Sequence, residues 1–283
     1  MFAPPEPRRG QRLSLCWGSV EGAGLIDLAV LASGAGMTAI AVTPRQHREL
    51  AEGGMAPADM RRRLTDLGIR VSVVDPLIEP IPGTPAPRDV PEAMRWLFEP
   101  DCEQVWRAAE ELEAETINMT AFLGQPVPAD RMRDALAELT ARNADRGFAS
   151  TIEFIPGTPI PDLPNAAALA ADAPGLRIML DAWHWARSSG TLADIDALPP
   201  GMIGGVQLND WLPPEPGAPY VPMSGRLLPG DGCLQLVEML AAVERNSPGL
   251  DVGIELFNAD LGRMDRTASV ALMAERCAGL LAR

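Results

Sequence analysis

The 283-residue chain contains no lysine; all 24 of its basic residues are arginine. Schiff-base chemistry needs a lysine amine, so a lysine-dependent aldolase or a pyridoxal-phosphate enzyme is excluded. A Walker-type phosphate loop, which needs Gly-Lys-Ser/Thr, is excluded with it. Histidine is nearly as scarce, with only His47 and His184. A zinc site of three histidine ligands cannot be built from one such chain. The four cysteines, Cys16, Cys102, Cys233 and Cys277, are dispersed and form no Cys-x-x-Cys pair. Neither a disulfide framework nor a zinc knot is indicated, and the thiols read as small apolar residues.

Long apolar runs are missing too. The longest fall far short of the ~20 residues needed to span a bilayer. Met1 to Gly10 lacks the apolar segment of a secretory signal, so a soluble, cytoplasmic protein with no membrane partner is expected. Basic clusters are limited to Arg61-Arg62-Arg63, which lies in a helical context and reads as a solvated face. The net charge is −14. A phosphate backbone would be repelled by such a surface, so no nucleic-acid partner is expected.

What the chain does have is a repeated pattern. Short apolar runs bounded by turn residues read as buried parallel strands, and they alternate with helical segments throughout. Eight such units of about 35 residues match a single (β/α)8 TIM barrel, expected over residues 11–283 behind a tail of residues 1–10. An open doubly wound sheet is the runner-up, but no Gly-x-Gly-x-x-Gly follows the first strand. The expected strands are 12–16, 37–42, 69–74 and 116–119, then runs at 149–152, 176–180, 203–206 and 252–254. The Pro-rich stretches 76–91 and 213–222 read as rim loops.

The last four runs end alike. They lead into Glu153, Asp181, Gln207 and Glu255. Polar residues at the C-terminal ends of barrel strands face the usual active-site rim. Two Glu, one Asp and one Gln offer oxygen only, a shell suited to one divalent cation, Mn²⁺ or Mg²⁺ first and Co²⁺ as an alternative. Without a cation, three converging carboxylates would repel one another and take up protons. Each residue also has a plainer reading. Asp181 caps a following helix, Glu153 and Glu255 pair with Arg, Gln207 is structural, and His184 is a hydrogen-bonded core histidine. Trp183, Trp185 and Trp211 flank the same rim, as packing or as a pocket wall that stacks on a ligand ring.

These stretches, Thr151-Ile152-Glu153, Leu180-Asp181-Ala182-Trp183-His184, Val206-Gln207-Leu208-Asn209-Asp210, Arg226 to Gly232 and Gly253 to Asn258, resemble the xylose-isomerase-like TIM-barrel superfamily of sugar isomerases and epimerases. The resemblance is specific in the C-terminal half. It implies that Glu153, Asp181, Gln207 and Glu255 bind a divalent metal and that His184 and Arg226 hold substrate oxygens. It also implies a homo-oligomer. Many keto-sugar epimerases of this group carry His where this chain has Gln207, and Gln there occurs in the 3-dehydroshikimate dehydratase-like branch. Val42-Thr43-Pro44 lacks the acidic residue that often ends strand two.

The expected chemistry is proton abstraction next to a carbonyl through a metal-stabilised enediolate, by an isomerase or epimerase. Glu153 and Glu255 would carry protons, His184 would donate to a substrate oxygen, and Arg226, on a loop able to close over the site, would bind a hydroxyl or carboxylate. Trp183 and Trp211 would wall the substrate. No dense basic cluster marks a phosphate pocket, so a non-phosphorylated polyhydroxy carbonyl substrate is expected. Expulsion of a β-hydroxyl instead would make the enzyme a lyase of a keto-sugar or cyclic hydroxy-ketone. An endonuclease on the same barrel fits poorly with two histidines and the acidic charge, and a ligand- or partner-binding pseudoenzyme has no need of both glutamates.

Overall fold

A computed structural model describes residues 13–215, 221 and 223–282. The tail, residues 1–10, and part of the 213–222 loop lie outside the described residues. Eight strands alternate with helices: β1 (Leu13–Cys16), β2 (Ala39–Val42), β3 (Arg70–Leu77), β4 (Thr116–Thr120), β5 (Ala149–Glu153), β6 (Leu176–Asp181), β7 (Ile203–Leu208) and β8 (Val252–Ile254). Neighbours pair in parallel around the ring, and Leu15 opposite Ile254 closes β8 onto β1. The barrel expected from the sequence is the one that forms. The open sheet fails because both would-be edge strands are paired. No helix among the described residues is long and apolar enough to cross a membrane.

Alternation along the strands builds the wall. Leu15, Ile40, Val74, Ile117, Ile152, Ile178 and Ile254 are fully buried in the large apolar cluster that the strands share with the surrounding helices. The helix Cys102–Leu112 shows how these helices are set. An Asp101/Gln104 capping box starts it, and Val105, Trp106, Ala109 and Leu112 make its buried face.

The barrel interior is less usual. Such barrels are ordinarily filled by layers of bulky side chains. Here Ser14, Ala41, Ser72, Gly205 and Gly253 line a cavity of about 260 Å³ in the lower half, with Gln207 among its lining residues. A smaller cavity of about 60 Å³ lies among the charged side chains at the other end. The chemistry gathers around the smaller space, because that is where the strand-end carboxylates are.

Two elements differ from the sequence reading. β3 runs three residues past Val74, through Asp75 and Pro76 to Leu77, so the Pro-rich loop begins inside a strand. A short helix, Ala182–Arg187, starts directly at the end of β6. A second apolar cluster, with Ile78, Leu97, Phe98, Phe122 and Ile155, packs beside the C-terminal ends of β3, β4 and β5.

Candidate functional site

Glu153 is the last residue of β5 and Asp181 the last of β6, while Gln207 sits one residue before the end of β7 and Glu255 one residue beyond β8. Asp181 stands opposite Gln207 in the β6–β7 register. All four are buried, as are His184 and Arg226. His184 reaches the site because Asp181 caps the helix that follows it. Asp181 Oδ1 accepts from the backbone N–H groups of Trp183 at 2.7 Å and His184 at 3.0 Å. The capping reading of Asp181 therefore holds alongside its place in the site.

The tightest group is Glu153, Asp181 and His184, each offering one ligand atom within 4.8 Å of the others. His184 Nε2 lies 3.2 Å from Glu153 Oε1. Glu255 joins through other bonds. Gln207 Nε2 donates to Glu255 Oε1 at 3.2 Å. Arg226 Nη2 donates to Asp181 Oδ2 at 2.9 Å and lies 3.1 Å from Glu255 Oε2. The same Nη2 is 3.4 Å from His184 Nε2.

Burial and crowding decide the charges. Burial lifts Glu153 well above the usual carboxylate range, and the charges of Asp75 and Asp181 add to it. Burial likewise lifts Glu255, against the pull of Arg226. Asp181 goes the other way: burial alone would raise it, but Arg226 and the N–H of His184 hold it below its ordinary value. Burial, helped by Arg226 and Arg187, pushes His184 down to about 3, so its ring is neutral at neutral pH. An arginine can only donate, so toward Arg226 the ring presents the Nε2 lone pair.

The sequence reading missed a fourth carboxylate. Asp75, near the end of β3, is buried and lines the smaller cavity. Asn118 Nδ2 donates both to Asp75 Oδ1 at 2.8 Å and to Glu153 Oε2 at 3.0 Å. Thr151 Oγ1 donates to Asn118 Oδ1 at 2.8 Å and fixes which way the amide points. Trp17 Nε1 donates to Asp75 Oδ2 at 2.9 Å. The available signal was Asn118 itself, an amide between Ile117 and Met119 in the middle of a buried strand.

Trp183 lines the cavity, as do Trp17, Phe122 and Phe257, which the sequence reading did not single out. Trp211 is not among the residues that line it. It lies at the root of the excursion after β7, with its N–H on Asp210 Oδ1 at 2.8 Å. Phe257 closes in because residue 18 has no side chain: a Cβ on Gly18 would lie 2.3 Å from the ring.

Asp210 ties down the excursion that carries Arg226. Its Oδ2 accepts from Gly230 N at 2.9 Å and Gly232 N at 3.0 Å, and its Oδ1 accepts from Leu234 N at 3.1 Å. Its backbone pairs with Leu227. Asn258 Nδ2 donates to Arg226 O at 2.8 Å. Arg226 is thus aimed by ties on both sides.

The donors fit a divalent cation. Three carboxylates and a neutral imidazole converge, and burial raises the pKa of Glu153 and Glu255, so their charged forms gain from a cation held beside them. Gln207 Oε1 is buried with no hydrogen-bond partner among the described residues. The nitrogen of His184 widens the oxygen-only shell expected from sequence and suits Zn²⁺ as well as Mn²⁺ or Co²⁺.

A family model for xylose isomerase-like TIM barrels matches residues 29–277. No curated protein matches the chain. Among solved structures, the chain is similar to the IolI protein with a bound zinc atom, at 14% identity and TM-score 0.79 over 96% of this chain and 98% of that one. It is similar to D-psicose 3-epimerase in the presence of D-fructose, at 16% identity and TM-score 0.67, covering 96% and 97%. It is also similar to a probable 3-DHS dehydratase, AsbF, from Bacillus anthracis, at 18% identity and TM-score 0.68, covering 94% and 97%. The chain belongs to the xylose isomerase-like TIM-barrel family.

Proposed function

We propose, with that family membership as premise, that the protein is a divalent-metal-dependent isomerase or epimerase of a small, non-phosphorylated polyhydroxy carbonyl compound. The observation that carries this reading is the pair Glu153 and Glu255. Both are buried, both have raised pKa values, and they line one cavity from β5 and from the end of β8. General acid–base groups are tuned upward in this way to work near neutral pH.

Glu153, Asp181 and Glu255, with Gln207 or His184, would hold the cation, which when bound supplies Lewis-acid polarisation of a carbonyl oxygen. The remaining steps belong to side chains. One glutamate takes the proton from the carbon next to the carbonyl, and the other returns a proton to the opposite face or the neighbouring carbon. His184, neutral, meets a substrate oxygen without adding charge. Arg226 stabilises negative charge as it develops on oxygen. The aromatic walls of Trp17, Phe122, Trp183 and Phe257 exclude water, which strengthens each of these interactions.

A second reading rests on the Gln207 amide, which stands where many epimerases of the group carry His, and on the apolar walls, which suit a compact ring. On that reading the same proton abstraction is followed by loss of a β-hydroxyl, and the enzyme is a lyase of a cyclic hydroxy-ketone.

Metal analysis of protein purified without chelator is expected to give about one divalent ion per chain, lost in Asp181→Asn, a variant that keeps the cap. Incubation of the metal-replete protein with ketoses and hydroxy-ketones in D₂O is expected to place deuterium next to the carbonyl. Unchanged skeleton composition assigns the isomerase and loss of water the lyase. Absence of both metal and exchange removes the proposal.

A further inference from the structure

The oxygens of Asp181 and Glu255 already have donors. Asp181 Oδ1 takes the two backbone N–H groups of its cap, and Glu255 Oε1 takes Gln207 Nε2. Asn209 Nδ2 sits 3.3–3.4 Å from both Asp181 oxygens. Asp181 Oδ2 and Glu255 Oε2 both face one atom, Arg226 Nη2, at 2.9 and 3.1 Å. His184 Nε2 completes the set at 3.4 Å.

An arginine fork ordinarily grips one carboxylate with two nitrogens. Here one nitrogen is shared by two carboxylates and an imidazole, which is the arrangement of ligands around a cation. We infer that Arg226 is the chain's own occupant of the cation position between Asp181 and Glu255, and that a divalent ion is bound only as Arg226 gives up these oxygens. The inference rests on the metal-dependent reading above and adds to it a determinant of metal affinity.

The surroundings permit the exchange. The main chain at residue 226 is tied by Asn258 and by the Asp210 anchor, so the side chain can swing while its strap stays in place. The guanidinium carbon already lies 4.7 Å from the Phe257 ring centroid and 5.3 Å from that of Trp183. Those faces hold a cation after the carboxylates are lost. Both rings line the smaller cavity, so an arginine released from the carboxylates moves toward substrate. Metal binding and substrate binding then reinforce each other through one side chain.

The charges set the direction. The Arg226 guanidinium touches Asp181 and Glu255, and its charge also acts on Asp75 and Glu153. Removing that guanidinium leaves the carboxylates a stronger trap for an added cation, whereas a side chain that merely supported the ligands would weaken binding when removed.

The test is calorimetric titration of chelator-stripped full-length protein with MnCl₂ alone. Arg226→Gln is expected to bind Mn²⁺ about tenfold or more tightly than wild type. Arg226→Lys, which keeps the charge on a shorter stem, is expected to fall between them. Equal or weaker binding by Arg226→Gln overturns the exchange and leaves the metal-dependent function standing. Binding by neither protein, with Mn²⁺ or Zn²⁺, removes both. Should Arg226→Gln fail to fold, wild-type crystals soaked in Mn²⁺ decide. Arg226 out of hydrogen-bond reach of Asp181 and Glu255 beside an anomalous peak supports the exchange; Arg226 still bridging both carboxylates beside that peak overturns it.

Discussion

Gln207 donates to Glu255 across the β7–β8 seam, Nε2 to Oε1, at 3.2 Å. The amide is buried, its own oxygen has no hydrogen-bond partner among the described residues, and it forms part of the ceiling of the lower cavity. Whether Gln207 ligates the cation directly or only orients Glu255, Gln207→Leu removes the contact without adding charge. The expected result is about 10- to 100-fold weaker Mn²⁺ binding, read by titration. Unchanged affinity would show that the seam contact does nothing for the metal.

Asn118 bridges Asp75 and Glu153, and its N–H lowers the Glu153 pKa against burial. Asn118→Leu removes that donor, so Glu153 moves further up. If Glu153 acts as the carboxylate base, the acid limb of the kcat/KM profile shifts to higher pH. His184, at about 3, adds no limb of its own in the neutral range. A limb that stays where it is in Asn118→Leu would exclude Glu153 as the titrating base.

Glu153 carries a stability cost in the folded state. Its folded pKa is raised above 4.5, so the folded state holds this proton more tightly than the unfolded state. At low pH both states are protonated and the group is neutral to stability. As pH rises past the unfolded value, the folded state is progressively disfavoured, until the folded pKa is passed. Glu153→Gln removes this cost. In chelator, the variant is expected to melt higher than wild type, with a gap that widens from acid toward alkaline pH, while turnover is lost. A gap that narrows with pH would contradict the raised pKa.

Asp210 accepts four backbone N–H groups, from Trp211, Gly230, Gly232 and Leu234. Asp210→Ala leaves these donors to find water and frees the strap that aims Arg226. A loss of roughly 2–4 kcal/mol in urea unfolding is expected, with a fall in kcat that saturating substrate does not restore. Asp210→Asn, which keeps an oxygen, is expected to recover part of the stability.

Much of this architecture was legible in the chain. Glu153, Asp181, Gln207 and Glu255 stood out because apolar runs of barrel length lead straight into them. Asp75 escaped because Pro76 reads as the start of a loop, whereas the strand continues through it to Leu77. Asn118 escaped because one amide inside a strand has no partner that one-dimensional spacing can name; its partners lie 43 and 35 residues away. Trp211 was put in the pocket on proximity to the rim. It is not among the residues lining the cavity, and Phe257 takes the wall position that Gly18 leaves open. Arg226 was assigned to the site through resemblance, but its grip on two carboxylates depends on side-chain geometry that no spacing encodes.

The anchor at Asp210 also separates two kinds of change. Because the described ends of the stretch from Trp211 to Gly230 are fixed to Asp210, changes between those ends are expected to leave the staves of the barrel in place. Transplanting that segment from relatives is therefore a route to altered substrate choice that spares Glu153 and Glu255, provided Arg226 and Gly230 are kept and Gly232 is left in place.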